Sequence, residues 1–418
     1  MTANLMPTAV VIGAGHAAGE LVTSLRDHGW TGEIILIGDE PSLPYHRPPL
    51  SKAYLSGVST AASLLIKSPE AYEKAGVQVI TGTRVLRIDR QAKLVHLSDG
   101  RIIGYDKLAL TTGGRPRPLP VPNAERAAQS GNFHYLRTMR DVDAMRRQFD
   151  PRMRLVIVGG GYIGLEVAAV AIKLGLHVTV LEAFPRVLAR VTAPELSAFY
   201  ERKHREAGVD IRTGVVVSDL EMDPSGDAVS AVLCADGSRI PADVVVVGIG
   251  LIPNTELAEA AGLAVDNGIL VNEYAQTSDP DIFAAGDCTN HPNNRLGRRL
   301  RLESVPNALE QARTAAATIC GQLKPYNVIP WFWSDQYELK LKMVGLSQGY
   351  DQLILRGSPD TDSFSAFYLK NGLIIAADTV NRAPEFMLAK RIIAERLWVA
   401  PEQLADDSVP LKSLLPPT

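Results

Sequence analysis

The sequence predicts an α/β fold in three parts: two parallel-sheet domains, the second inserted into the first, and a smaller α+β domain at the C-terminal end. Three observations lead there: a glycine-rich strand-to-helix turn that occurs twice, a second echo built on an Asp-Gly turn, and a change of pattern after about residue 320. The first turn, Gly13-Ala14-Gly15-His16-Ala17-Ala18, follows the apolar run Ala9-Val10-Val11-Ile12; the second, Gly159-Gly160-Gly161-Tyr162-Ile163-Gly164, follows Leu155-Val156-Ile157-Val158. In each, glycine permits a tight turn and leaves bare backbone N–H groups at the positive end of the next helix, where a pyrophosphate binds. Each unit closes on a second strand and an acid, Ile34-Ile35-Leu36-Ile37 before Asp39 and His177-Val178-Thr179-Val180-Leu181 before Glu182. A carboxylate there accepts hydrogen bonds from a ribose diol. One glycine turn also occurs where nothing binds; strand, turn, helix, strand and acid twice over point to two Rossmann-like dinucleotide-binding domains.

The second echo sets the domain order. Ser98-Asp99-Gly100 precedes the strand Asp106 to Gly113, and Ala235-Asp236-Gly237 precedes Asp243 to Gly250, each an Asp-Gly hairpin turn feeding a strand that stops at glycine. After Gly250 the chain runs through Ile252-Pro253-Asn254 to another apolar strand ending at Gly286-Asp287, which returns to the first domain. The expected boundaries are 1–117 and 248–320 for the first domain, 118–247 for the inserted one and 321–418 for the last. Alternating runs such as Phe364-Ser365-Ala366-Phe367-Tyr368-Leu369 make the last domain strand-rich, and the proline-bearing tail from Pro401 holds no long helix.

Composition narrows the class. Across 418 residues, 46% are apolar and the net charge is only -3, which suits a globular enzyme rather than a nucleic-acid binder. Cys234, Cys288 and Cys320 are too few and too scattered for a disulfide framework or a Cys-rich metal site, so a reducing cytoplasm is the expected location. No apolar run approaches the ~20 residues that span a bilayer, and neither a signal peptide nor a membrane anchor is expected.

Several stretches carry a resemblance: Pro48-Pro49-Leu50-Ser51-Lys52, Thr112-Gly113-Gly114-Arg115-Pro116-Arg117-Pro118, Gly250-Leu251-Ile252-Pro253-Asn254, Glu303-Ser304-Val305-Pro306-Asn307-Ala308 and Trp331-Phe332-Trp333-Ser334-Asp335-Gln336. With the glycine turns they make the chain resemble, over essentially its full length, the two-dinucleotide flavoproteins of the glutathione-reductase superfamily, and within it the oxygenase-coupled ferredoxin reductases. Ala18 stands where the first motif more often has a third glycine. The resemblance implies that the first domain binds FAD, with Gly13, Gly15 and Ala18 around its pyrophosphate, Asp39 on the adenosine ribose, Asp287 on the ribityl chain, and Lys52, Val85, Arg137, Val305 and Trp333 as further contacts. It implies that the inserted domain binds the nicotinamide dinucleotide through Gly159, Gly161, Ile163, Gly164, Glu182 and Gly250. Glu182 repels a 2′-phosphate, which favours NADH over NADPH, although Arg186 and Arg190 lie nearby in sequence and leave NADPH use open.

Disulfide-reducing members of that superfamily carry a redox cysteine pair where this chain reads Arg47-Pro48-Pro49-Leu50-Ser51-Lys52. With no thiol relay, electrons must leave the flavin directly, which favours a one-electron acceptor, and a 2Fe-2S ferredoxin serving a haem monooxygenase or ring-hydroxylating oxygenase fits. Lys52 and Glu166 are the expected catalytic pair, placed by the resemblance where nicotinamide and flavin meet; an ordinary interdomain ion pair would look the same in sequence. Arg295, Arg298, Arg299 and Arg301, extended by Arg313, Lys340 and Lys342, are the expected docking surface for an acidic ferredoxin. A solvated basic loop is the plain alternative, and the protein is expected to act as a monomer. Two rival functions share these motifs: reduction of rubredoxin, monodehydroascorbate or oxygen, and an NADH-sensing binding module.

Overall fold

The structure, a computed structural model, describes residues 6–416. By internal contacts the chain divides into two units. One comprises Met1–His46, Ala62–Arg115 and Ile252–Pro330; the other comprises Arg47–Ala61, Pro116–Leu251 and Trp331–Thr418.

The first unit is organised by a five-stranded parallel sheet in the order Ile282–Ala284, Lys107–Leu110, Thr8–Ile12, Glu33–Ile37, Val77–Ile80. The glycine-turn strand Thr8–Ile12 takes the centre, and its run Ala9 to Ile12 is buried because both faces are covered. On one face lie the helices His16–Asp27 and Val305–Ile319, which meet through Ala17, Ala18, Ala308, Ala312, Ala315 and Ala316. Methyl side chains in these rows let the two backbones approach closely. On the other face, Val10, Ile12, Ile35 and Ile37 pack on a small antiparallel sheet of Val85–Asp89, Leu94–Leu97 and Ile102–Gly104.

The second unit repeats that plan. Its parallel sheet runs Asp210–Thr213, His177–Glu182, Arg154–Val158, Val244–Val247, Phe133–Tyr135, again with the glycine-turn strand central. A second three-stranded antiparallel sheet, Val217–Met222, Val229–Cys234 and Arg239–Pro241, covers one face through Leu220, Val229, Val232 and Cys234. The Asp-Gly turns sit at equivalent corners, with Gly100 at φ +87° and Gly237 at φ +85°, a conformation that glycine adopts without strain.

The same unit holds a five-stranded antiparallel sheet, Trp331–Gln336, Leu339–Gly345, Leu373–Val380, Ser363–Lys370 and Gln352–Ser358 in spatial order, with the helix Ala383–Glu395 laid on it. Arg47–Ala61 groups with this unit because its side chains are used there. Tyr54 donates to Asp143 at 2.8 Å, and the Arg47 guanidinium donates to the Arg137 carbonyl at 2.6 Å. Among the described residues no helix is long and apolar enough to cross a membrane.

Candidate functional site

The glycines of the first turn divide into two physical classes. Gly13 has φ +101°, and a Cβ on it would lie 2.3 Å from the Thr111 carbonyl oxygen, so the fold itself demands glycine there. Gly15 has φ -97°, which any residue adopts, and a Cβ on it would meet nothing within 4 Å. Gly15 therefore borders open space at the start of the helix His16–Asp27. No side chain caps that helix and no acid lies in its first turn, so its leading N–H groups and positive dipole end present themselves to an anion.

The second unit contains the same device. Gly159 has φ +112° and its Cβ would lie 2.4 Å from the Gly248 carbonyl oxygen, whereas a Cβ on Gly161 meets nothing within 4 Å. The helix Tyr162–Lys173 likewise begins without a side-chain cap or an acid in its first turn. The copies differ at the third motif position. Ala18 is accommodated in the first, but a Cβ on Gly164 would lie 2.1 Å from the Gly159 carbonyl oxygen, so this helix sits closer to its turn. Two uncapped helix starts behind open glycines fit the diphosphates of two dinucleotides, one per unit.

Around the first cradle, Asp39 is exposed at the end of Glu33–Ile37 and lies 3.4 Å from Arg84, leaving its carboxylate accessible to a sugar. Gly286, at φ +90°, is held by a hydrogen bond from its N–H to Gln311 at 2.8 Å, and a Cβ on it would come into ordinary contact with Ala17 at 3.4 Å and Ala308 at 3.6 Å. That packing sets Gly286, the residue before Asp287, against the first turns of both helices. Val305 opens its helix behind the Ser304 cap, whose hydroxyl accepts from the Asn307 N–H at 3.2 Å. Val85 is buried in the core beneath the sheet.

Around the second cradle, Glu182 accepts hydrogen bonds from the Gly160 N–H at 2.7 Å and the Phe184 N–H at 2.8 Å, which fixes a negative charge beside the turn. Arg186 is committed elsewhere: its guanidinium donates to the Thr192 and Ala189 carbonyls and to the Ser197 hydroxyl, at 2.9, 3.0 and 2.6 Å. Arg190 is exposed, 3.9 Å from the place a Cβ on Gly250 would take. Ile163 is exposed on the first turn of its helix.

Lys52 and Glu166, separated by more than a hundred residues, form an ion pair of 2.6 Å in the second unit. Glu166 is only 2% exposed, and a buried carboxylate is stable only when its lone pairs are filled. Ser51 donates to its Oε2 at 2.5 Å and Ser334 to its Oε1 at 2.6 Å. Neither serine follows from sequence reasoning, although both lie in quoted stretches. Arg137 abuts the Arg47 side chain through its carbonyl, and Trp333 is half-buried with its ring 5.6 Å from Trp331.

The basic run is mostly consumed within the protein. Arg299 donates to the Val271 carbonyl at 2.6 Å, Arg301 pairs with Glu303 at 2.5 Å, and Arg313 pairs with Glu20 at 2.7 Å and Glu310 at 2.8 Å. Lys342 stands over the Phe386 ring at 5.5 Å. Arg298 is exposed and Arg295 is half-buried.

Residues 7–312 match the family described as pyridine nucleotide-disulphide oxidoreductase, and residues 331–415 match the reductase C-terminal family. The chain is 55% identical over 412 residues to putidaredoxin reductase CamA of Pseudomonas putida, covering 99% of this chain and 97% of that protein. It is 43% identical over 403 residues to rhodocoxin reductase of Rhodococcus erythropolis, covering 96% of this chain and 93% of that one. Among solved structures, the covalent putidaredoxin reductase–putidaredoxin complex superimposes with a TM-score of 0.94 at 55% identity, covering 98% of each chain.

Proposed function

Because this chain belongs to the pyridine nucleotide-disulphide oxidoreductase family and carries its reductase C-terminal domain, we propose that it takes hydride from NADH and passes single electrons to a 2Fe-2S ferredoxin of an oxygenase system. It is an FAD- and NAD(H)-dependent ferredoxin reductase. When bound, FAD supplies the conversion between a two-electron donor and one-electron acceptors. The protein's own residues do the rest. Gly15 and Gly161 keep the two helix starts open to diphosphates, and Asp39 and Glu182 offer carboxylates to ribose hydroxyls.

Glu182 beside its turn repels a 2′-phosphate and the Arg186 donors are taken up by its own loop, which favours NADH, while the exposed Arg190 keeps NADPH use open. Lys52 keeps a positive charge whose position is set by Glu166, itself fixed by Ser51 and Ser334. A cation held in one place favours an electron-rich neighbour and costs no reorganisation during the reaction. Arg47 to Lys52 contains no thiol and all three cysteines are free, two of them buried, so no cysteine pair can relay electrons. The acceptor is therefore a one-electron carrier. Arg298 is an exposed member of the basic run and steers an acidic ferredoxin; the enzyme works as a cytoplasmic monomer.

The observation that carries this reading is the pair of uncapped, glycine-opened cradles together with the ion pair of half-buried Lys52 and buried Glu166. Anaerobic rapid mixing with NADH tests it. Flavin bleaching should slow at least ~10-fold in Lys52→Met with NADH affinity little changed. Equal bleaching rates would remove Lys52 from the chemistry.

A further inference from the structure

A chain of side chains runs away from the Lys52–Glu166 pair and ends on a residue far from either glycine turn in sequence. Ser334, which donates to Glu166, itself accepts from the Gln336 amide nitrogen at 3.2 Å. The Gln336 carbonyl oxygen lies 2.9 Å from His204 Nε2, and His204 Nδ1 lies 2.9 Å from the Tyr337 hydroxyl. Ser334, Gln336 and His204 are 0, 1 and 0% exposed, while Tyr337, at the turn between Trp331–Gln336 and Leu339–Gly345, is half-buried.

The direction of every bond in this row follows from its first acceptor. Glu166 is a carboxylate paired with Lys52 and can only accept, so Ser334 must spend its one proton on it. The serine oxygen then needs a donor, which turns the Gln336 amide nitrogen toward it and its carbonyl toward His204. That carbonyl requires a proton on Nε2, which leaves Nδ1 to accept from Tyr337. Reversing any one bond would set two lone pairs, or two protons, face to face in a buried space where each unsatisfied group is costly. Burial also lowers the His204 pKa to about 4, so the ring is neutral near pH 7, as the single-tautomer pattern requires. The amide in the middle does not shuttle protons, so the row orients rather than conducts.

We infer that His204 and Tyr337 are positioning residues for the reductive half-reaction, acting through Gln336 and Ser334 to fix the Glu166 carboxylate and hence the Lys52 ammonium. The inference rests on the role assigned to Lys52 under Proposed function. His204 belongs to the helix Pro194–Glu206, Glu166 to the helix Tyr162–Lys173 and Ser334 to the C-terminal sheet, so one hydrogen-bonded row ties three separate elements to the lysine.

Three variants of the flavin-loaded enzyme test it. His204→Met removes both ring nitrogens, and the rate of flavin reduction by NADH should fall about 10-fold, the worth of one hydrogen bond in alignment, with NADH affinity within about twofold. His204→Gln presents an amide N–H toward Gln336 and should recover most of that loss. Tyr337→Phe removes only the outermost donor and should slow reduction about threefold. Independently of turnover, nitrogen-15 histidine NMR at pH 7 should show His204 neutral and protonated at Nε2, a signal lost or changed in Glu166→Gln.

A folded His204→Met enzyme that reduces at the parental rate would overturn the inference, as would an Nδ1-protonated ring. Equal losses of rate and thermal stability in the Met and Gln variants would also overturn it, showing a packing role instead. If His204→Met fails to fold, Tyr337→Phe and the tautomer decide. Should Lys52→Met slow reduction while the His204 and Tyr337 variants do not, only this inference falls; should Lys52→Met also have no effect, the reading of Lys52 falls with it.

Discussion

Replacing Gly161 by alanine separates what the fold needs from what the ligand needs. Gly161 has φ -82° and ψ -179°, ordinary extended backbone, and a Cβ there meets no atom within 4 Å. The substitution should therefore leave the fold intact and raise its stability slightly, by about 0.4–1 kcal/mol, through the smaller entropy of the unfolded chain. The same methyl fills the approach to the first N–H groups of the helix Tyr162–Lys173. A displaced diphosphate loses at least one charge-assisted hydrogen bond of about 1.5–3 kcal/mol, which is roughly a 10- to 100-fold loss of NADH affinity.

Gly159→Ala gives the contrast. Its φ of +112° and a Cβ 2.4 Å from the Gly248 carbonyl oxygen would force backbone to move, so this variant should lose stability and NADH affinity together. Thermal unfolding, flavin content and NADH titration on purified proteins separate the outcomes. Gly161→Ala should be yellow, as stable as the parent and weak for NADH. An unfolded Gly161→Ala, or one that binds NADH as the parent does, would refute the assignment of the open glycine to the ligand. In the first unit, Gly15→Ala should give a stable protein depleted of flavin.

Other expectations follow from burial and charge. Arg356 is 2% exposed and holds Glu385 at 2.9 Å, the Asp406 carbonyl at 2.5 Å and the Val409 carbonyl at 2.6 Å; Arg356→Met leaves Glu385 with Arg382 at 3.0 Å but strips the tail carbonyls of their donors, and chemical unfolding should show a loss of about 1–3 kcal/mol. Burial lowers the pKa of His204 and His291 to about 4, with Arg299 adding to the effect at His291. Their folded forms are neutral while the unfolded chain protonates below 6.5, so the stability they contribute is complete above pH 6.5 and is lost as pH falls toward 4, up to about 3 kcal/mol for each. Urea midpoints measured across that range should fall less steeply in His204→Gln. Glu182→Ala should weaken NADH without weakening NADPH, read from the ratio of kcat/KM values. Arg298→Glu should slow ferredoxin reduction several-fold at low salt and little at high salt, where charges are screened beyond ~3 Å at 1 M.

Local chemistry is what the sequence discloses. Both cradles were legible because glycine turn, apolar strand and acid lie within thirty or so residues of each other, and their physics is that of one helix start. Their duplication was legible for the same reason, down to the Asp-Gly corners at Gly100 and Gly237. The partners of Glu166 were not: Ser51 and Ser334 stand 115 and 168 residues away, and only tertiary packing brings a hydroxyl to each carboxylate oxygen. The basic run shows the converse. Read as a string, Arg299, Arg301 and Arg313 suggest a free positive surface, but neighbouring carbonyls and carboxylates take up their donors. The segment Arg47–Ala61 groups with the second unit for a similar reason, because Tyr54 reaches Asp143 across 89 residues.

An anaerobic titration addresses the central claim most directly, with NADH added to the flavin-loaded protein and an oxidised 2Fe-2S ferredoxin supplied afterwards. One NADH per chain should bleach the flavin, and the reduced protein should then bleach ferredoxin in single-electron steps until two molecules are reduced. A chain that holds no reducible flavin, or whose NADH-reduced form passes electrons to oxygen but never to a ferredoxin, would contradict the account.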